Sequence, residues 1–350
     1  MTASPQSDSF KHQLLGDVLK RVSRLFYTTL AVLPADVRDQ VGLAYLFARA
    51  ADTIADTEVI PVERRLEFLL RLQQQFASNS PDWKDIAAIQ AALLPHQASQ
   101  GETVLLQRLD DCFRLFENLT PLDKKYIRWL MATLPKGMAM DLKEFAAGTA
   151  EHPIALQTAE ELDRYTYLVA GCVGEFWTGI TCAHRHTLAG WDVEQMAAVG
   201  VRFGKGLQLT NIVKDVAHDL RRGRCYIPAP MLAEAGLTAE SLLDVNNRDK
   251  FQPVLRALIK QAMAHLDQGW LYTMALPRWE VRLRLACMWP ILSAGETLRA
   301  VQAAPNLLDP TVKVKIPRST VYRIMALTTG SLGCGYVGSA YWGHIRKHMI

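Results

Sequence analysis

The chain has 350 residues, 49% of them hydrophobic and 21% charged, the composition of an ordinary globular protein. Its formal net charge of +4 is mild and its Lys and Arg are scattered, which argues against a nucleic-acid partner. The six cysteines show no CxxC spacing and no His partners at zinc spacing, and the N-terminus lacks a secretory pattern; both fit a cytoplasmic chain with reduced, structural thiols.

Residues 1–10 are polar and read as a disordered N-terminus. From His12 the apolar residues recur at helical spacing and stop near Pro34. A second helix is expected over Asp36–Asp56, and a third over 59–78 with Pro61 near its first turn, where proline is tolerated. After the loop SNSPDWKD, helices follow at about 85–94, 102–118, 121–145, 158–188 and 192–220. Alternating β-branched runs are almost absent, and no flexible linker or internal repeat appears. The expected fold class is all-α, a single domain of roughly a dozen helices over 11–330, followed by a Gly-rich tail at 331–350.

Two stretches carry chemistry. In LQLTNIVKDVAHDLRRGRCYIP, Asn211, Asp215 and Asp219 recur every four residues and share one helical stripe. Like charges so placed repel, and a hard divalent cation such as Mg²⁺ turns that liability into a site. Arg221, Arg222 and Arg224 follow, with the geometry to meet phosphate oxygens. The alternative is a solvated end of an amphipathic helix. On the second helix, Asp52 and Asp56 repeat the pair, with Arg49 and Tyr45 on the same face. Two such helices facing a cavity would hold Mg²⁺ ions that bind and withdraw a diphosphate. The allylic cation left behind needs a dry, aromatic-lined space.

These residues resemble the squalene/phytoene synthase family of head-to-head prenyltransferases. DTIAD and NIVKDVAHDLRRGRCYIP are similar to its two aspartate-rich motifs, and SRLF at 23–26, YLFAR at 45–49 and the 165–174 stretch match three more of its segments. The resemblance implies an isoprenoid-synthase-type helical bundle with a central cavity. It also implies Mg²⁺, or Mn²⁺ in its place, on Asp52 and Asp56 and on Asn211, Asp215 and Asp219. Ser23, Arg24, Arg49, Gln208 and Arg224 would bind the diphosphate, and Lys214 would assist. Tyr45, Tyr165 and Phe26 would line the reacting centre. The chain departs from the family pattern at Lys214, where arginine is usual, and at His218, where an acid is usual.

Family members share a first half-reaction and then either reduce the product with NADPH, giving squalene, or lose a proton, giving phytoene or dehydrosqualene. VKVKIPR at 312–318 resembles the basic run of the reducing branch, with Lys313, Lys315 and Arg318 placed to meet NADPH. Ile291 stands where that branch tends to have glutamine. The expected substrate is two molecules of farnesyl diphosphate, and the expected product squalene. From Ile324 to Gly343 no residue is charged, but Gly330, Gly333, Gly335 and Gly338 make the run a poor membrane span, so peripheral membrane contact is expected instead. A monomer is favoured. The competing non-catalytic reading conflicts with complete aspartate motifs, and a di-iron bundle would need Glu-x-x-His pairs that the sequence lacks.

Overall fold

The computed structural model describes residues 11–23, 26–78, 80–331 and 336–349. The helices in chain order are α1 Leu19–Ser23, α2 Phe26–Val32, α3 Ala35–Asp56, α4 Val62–Ala77, α5 Trp83–Leu93, α6 Gln100–Gln107, α7 Leu109–Glu117, α8 Pro121–Glu144, α9 Ala159–Thr166, α10 Cys172–His184, α11 Val193–Leu220, α12 Ala229–Ala233, α13 Arg248–Ala275, α14 Val281–Ala303, α15 Arg318–Gly330 and α16 Tyr336–Lys347. A π-helical stretch, Gln13–Val18, precedes α1, and another, Tyr167–Gly171, joins α9 to α10. The all-α expectation holds. Two expected helices are broken: 102–118 at Arg108, and 158–188 at the π-helical stretch and again at Arg185. The chain divides into two compact units, Met1–Leu142 with Phe176–Ala189, and Lys143–Glu175 with Gly190–Ile350.

The first unit is organised around α3. Pro34 stands at its N-cap and Asp36 in its first turn, where a carboxylate favours the helix dipole. Leu43, Leu46, Phe47, Ala50 and Ile54 are fully buried. Phe47 meets the rings of Phe76, Phe113 and Phe116 at 4.7, 4.8 and 6.0 Å. Each buried ring of this kind contributes about 1.5–3 kcal/mol. At the C-terminal end Arg65 donates to the Ala55 carbonyl at 2.6 Å, satisfying a carbonyl the helix leaves open. His184 Nε2 lies 2.6 Å from the buried Asp123, and Arg185 reaches Asp36 at 2.7 Å, fastening the end of α10 into this unit.

The second unit is built on the two 28-residue helices α11 and α13. Asp192 caps α11 by accepting from the Gln195 amide. Gly174 packs so closely on α11 that a Cβ there would stand 2.0 Å from the Gly200 carbonyl oxygen. A two-residue parallel bridge pairs β1, Ile154–Ala155, with β2, Arg224–Cys225. The tail expected to be Gly-rich forms α16, which packs on α13 through stacked Trp270 and Trp342 rings 5.8 Å apart. Among the described residues no helix is long and apolar enough to cross a membrane.

His265 on α13 accepts a hydrogen bond at Nδ1 from Arg202 Nε at 2.7 Å, which requires the neutral ring. Burial, with Arg202 and Lys205 adding to it, pushes its pKa down to about 4. The stabilisation is therefore complete above the unfolded pKa near 6.5 and is lost as pH falls through 4, a span on the order of 3 kcal/mol. His265→Gln is expected to lose less stability than the wild type when denaturant melts at pH 7 and pH 4.5 are compared.

Candidate active site

In the first unit, Tyr45, Arg49, Asp52 and Asp56 lie on the face of α3 turned away from the phenylalanine core, as their spacing predicts. Phe26 stacks on Tyr45 with centroids 5.5 Å apart and planes at 22°, and is itself 41% exposed. Arg49 donates through Nη1 to Asp52 at 2.5 Å and through Nη2 to Glu102 on α6. Its Nε is buried and has no partner among the described residues. Burial works against the Arg49 charge, but Asp52 and Glu102 outweigh it and hold the guanidinium more firmly protonated. Asp52 is pushed up to about 6, by burial first and by Asp56 next, with Arg49 opposing. Ser23 is buried and spends its hydroxyl on the Leu19 carbonyl at 2.5 Å, a bond within the helix. Arg24 lies outside the described residues.

In the second unit, Leu209, Ile212, Val213, Val216 and Leu220 are buried on one side of α11, leaving Gln208, Asn211, Lys214, Asp215, His218 and Asp219 along the accessible side. Lys214 Nζ pairs with Asp215 at 2.9 Å. Tyr165 stacks on Tyr226 at 4.7 Å, and Phe145 meets the other ring edge-on at 5.1 Å, making an aromatic wall. After α11 the basic run divides its work. Arg221 donates to the carbonyls of Ala217 and Leu308 at 2.8 and 3.4 Å, so it closes the helix. Gly223 turns the chain at φ 79°, which a side chain rarely tolerates, and Arg224 enters the bridge with β1. Lys313 and Lys315 are exposed on either side of the buried Val314, as an extended segment dictates, and the exposed Arg318 opens α15.

The donor set suits a hard cation. Every candidate ligand is an oxygen, and a carboxyl as elevated as Asp52 is one that a divalent charge would relieve. Among the described residues no three His, Cys, Asp or Glu side chains converge to cage an ion by themselves. Mg²⁺ commonly completes its shell with waters and substrate phosphate oxygens. Two contributors escaped the sequence reading. Glu102 is a lone acid near the start of a helix, far along the chain from its arginine, and nothing in the sequence marks it. Tyr226 sits inside the second aspartate-rich stretch, and its aromatic type beside the arginine run was the available signal.

A family model described as squalene/phytoene synthase matches residues 19–320. A 15-cis-phytoene synthase from Enterobacter agglomerans is 26% identical, covering 80% of this chain and 80% of its own length. A squalene synthase from Eremothecium gossypii is 25% identical, covering 95% of this chain and 71% of its own. The solved structure of TcSQS in complex with BPH1237 matches at a TM-score of 0.78 and 21% identity, over 98% of this chain and 92% of that one, which supports the helical isoprenoid-synthase fold. With the family match running through α3, α11 and the π-helical stretch between α9 and α10, the chain belongs to the squalene/phytoene synthase family.

Proposed function

We propose that this protein is a squalene-forming prenyltransferase that joins two farnesyl diphosphates head to head and then reduces the product. The observation that carries the choice within the family is coverage. The match to the Eremothecium squalene synthase takes in 95% of the chain, so it runs through the Lys313–Arg318 segment. The match to the Enterobacter phytoene synthase takes in 80%. A second reading, phytoene or dehydrosqualene synthesis, is favoured by Ile291, which fills a fully buried position on α14 where the reducing branch tends to have glutamine.

In this reading the C–O bond of one farnesyl diphosphate breaks, and the allylic cation is attacked by the double bond of the second. Loss of a proton closes the cyclopropane of presqualene diphosphate. Asp52 and Asp56, and Asn211, Asp215 and Asp219, are the residues that would hold Mg²⁺, which would supply charge neutralisation at the departing diphosphate. Arg49, fixed by two carboxylates with Nε still to satisfy, orients the same group. Lys214 and Arg224 add positive charge. In this reading the stacked rings of Phe26–Tyr45 and of Tyr165–Tyr226 are the aromatic faces that would stabilise the cation. In the second half the remaining diphosphate would leave and NADPH would supply a hydride to the rearranged carbocation; Lys313, Lys315 and Arg318 are the exposed cations that this reading assigns to the phosphate of NADPH. A lipid product makes peripheral membrane contact part of the proposal.

Incubation of purified protein with farnesyl diphosphate and Mg²⁺ should yield squalene only when NADPH is added; dehydrosqualene in its presence would refute the reductive step. Asp52→Asn and Asp215→Asn should each cut diphosphate release by at least about a hundredfold while leaving the helical circular dichroism unchanged; near-normal turnover in either would remove that residue from the metal set. Glu102→Gln should lower kcat/KM roughly tenfold, mainly by raising KM, because Arg49 loses one of the two carboxylates that position it. Glu102→Asp should recover part of that loss, and equal values for the two variants would assign Glu102 a purely structural role.

A further inference from the structure

The segment that carries Tyr165 is wound irregularly. α9 passes into the π-helical stretch Tyr167–Gly171, and α10 resumes at Cys172. A turn closed i→i+5 takes about one residue more than a turn closed i→i+4, so one α turn and one π turn together span about eight residues instead of about seven. Tyr167 and Glu175 are eight residues apart. In an uninterrupted α-helix they would diverge around the axis by about 80°. Here the Tyr167 hydroxyl donates to the Glu175 carboxylate at 2.8 Å, so the bond favours the register that includes the π turn. Burial first, and the bond to Glu175 next, push the Tyr167 phenol up, which keeps it the donor.

Lys205 on α11 holds the other side of the turn. Its Nζ pairs with Asp163 on α9 at 2.6 Å and stands 5.9 Å from the centre of the Tyr167 ring, within reach of a cation–π contact. The lysine side chain is only 11% exposed, so the pair is sheltered on the α11 side. A Cβ on Gly171 would stand 3.5 Å from Lys205 Cγ and 3.2 Å from Tyr167 Cδ2, and one on Gly204 would stand 2.2 Å from the Ala170 carbonyl oxygen. Backbone packing thus presses the turn onto α11, while the two polar contacts select its winding. Tyr165 depends on that winding. α10 is fixed on α11 where Gly174 meets Gly200, whereas Tyr165 lies before the π turn and stacks on Tyr226 at 4.7 Å. Rewinding the turn as α-helix would rotate Tyr165 by about 100° and move it by about 1.5 Å relative to α10, off the Tyr226 ring.

We propose that Tyr167, Glu175 and Lys205 lock the register of this π turn and are thereby positioning residues for Tyr165 in prenyl transfer. The lock rests on the proposed function only in placing Tyr165 at the reacting centre. Tyr167→Phe keeps the ring and deletes the donor. It should lower kcat for diphosphate release roughly tenfold and leave KM for farnesyl diphosphate within about twofold, because other side chains hold the diphosphate while the ring is misplaced for the transition state. Glu175→Leu and Lys205→Met should lose kcat in the same way, whereas Glu175→Gln, which keeps an acceptor oxygen, should retain most of it. In a Tyr165→Leu background, Tyr167→Phe should cost no further turnover, the non-additivity expected of residues that act through one ring. Hydrogen exchange of the 165–175 amides, read well below the melting temperature, should quicken in Tyr167→Phe and Glu175→Leu but not in Glu175→Gln. Wild-type kcat or wild-type exchange in Tyr167→Phe would overturn the proposal, as would losses that add in the double variant. A wild-type protein that releases no diphosphate would instead remove the proposed function, and the exchange pattern would then decide the register lock by itself.

Discussion

Two carboxylates one turn apart on a helix that is packed along its other side repel each other and resist losing water. On α3 that burden falls on Asp52 and Asp56, and Arg49 answers it by lying between Asp52 and Glu102. The arrangement ties the placement of the candidate site's side chains to the hydrophobic core, because Phe47, two residues before Arg49, and Ala50, one after it, are buried without exposure. Shifting the helix by one residue would carry the acids into the aromatic cluster and the phenylalanine into solvent. The polar face is thus held in place by the apolar one.

The second unit meets the same demand differently. Along α11 the accessible side is polar from Gln208 to Asp219 and the opposite side is aliphatic. The upstream half is held by close backbone approach, with Gly174 and Gly200 almost in contact and Gly206 lodged against His265 and Leu266 on α13. Small residues fix the helix without occupying the space its polar side needs. The π-helical stretch Tyr167–Gly171 belongs to this solution: its wider turn lets the chain leaving α9 pass the crowded glycines without abandoning helical hydrogen bonding.

Much of this was legible in the chain. The four-residue spacing of Asp52/Asp56 and of Asn211/Asp215/Asp219 placed both stripes on the solvent side of their helices, and the alternation at Lys313–Lys315 placed those lysines on the exposed side of an extended segment. Local periodicity carries such information because it depends only on helix and strand geometry. Glu102 was invisible for the opposite reason: its role arises from a contact 53 residues away in sequence, and a single glutamate on a short helix has no local signature. The breaks at Arg108 and at the π-helical stretch were also missed, since hydrophobic spacing runs through them almost undisturbed while the backbone hydrogen bonds change partners. The basic run after α11 looked uniform, yet Arg221 is spent on carbonyls and Arg224 is set by a strand.

That short strand pair has a wider reach than its two residues imply. Ile154 and Leu156 donate to the carbonyls of Gly223 and Cys225, and Gly148 lies against Gly223 so closely that neither position has room for a methyl group. The direction in which Arg224 leaves the backbone is therefore dictated by a loop much earlier in the chain that bears none of the functional side chains. Variation across 148–156 would be felt at Arg224. For anyone transplanting the second aspartate-rich stretch into another scaffold, that earlier loop is part of the same module and has to travel with it.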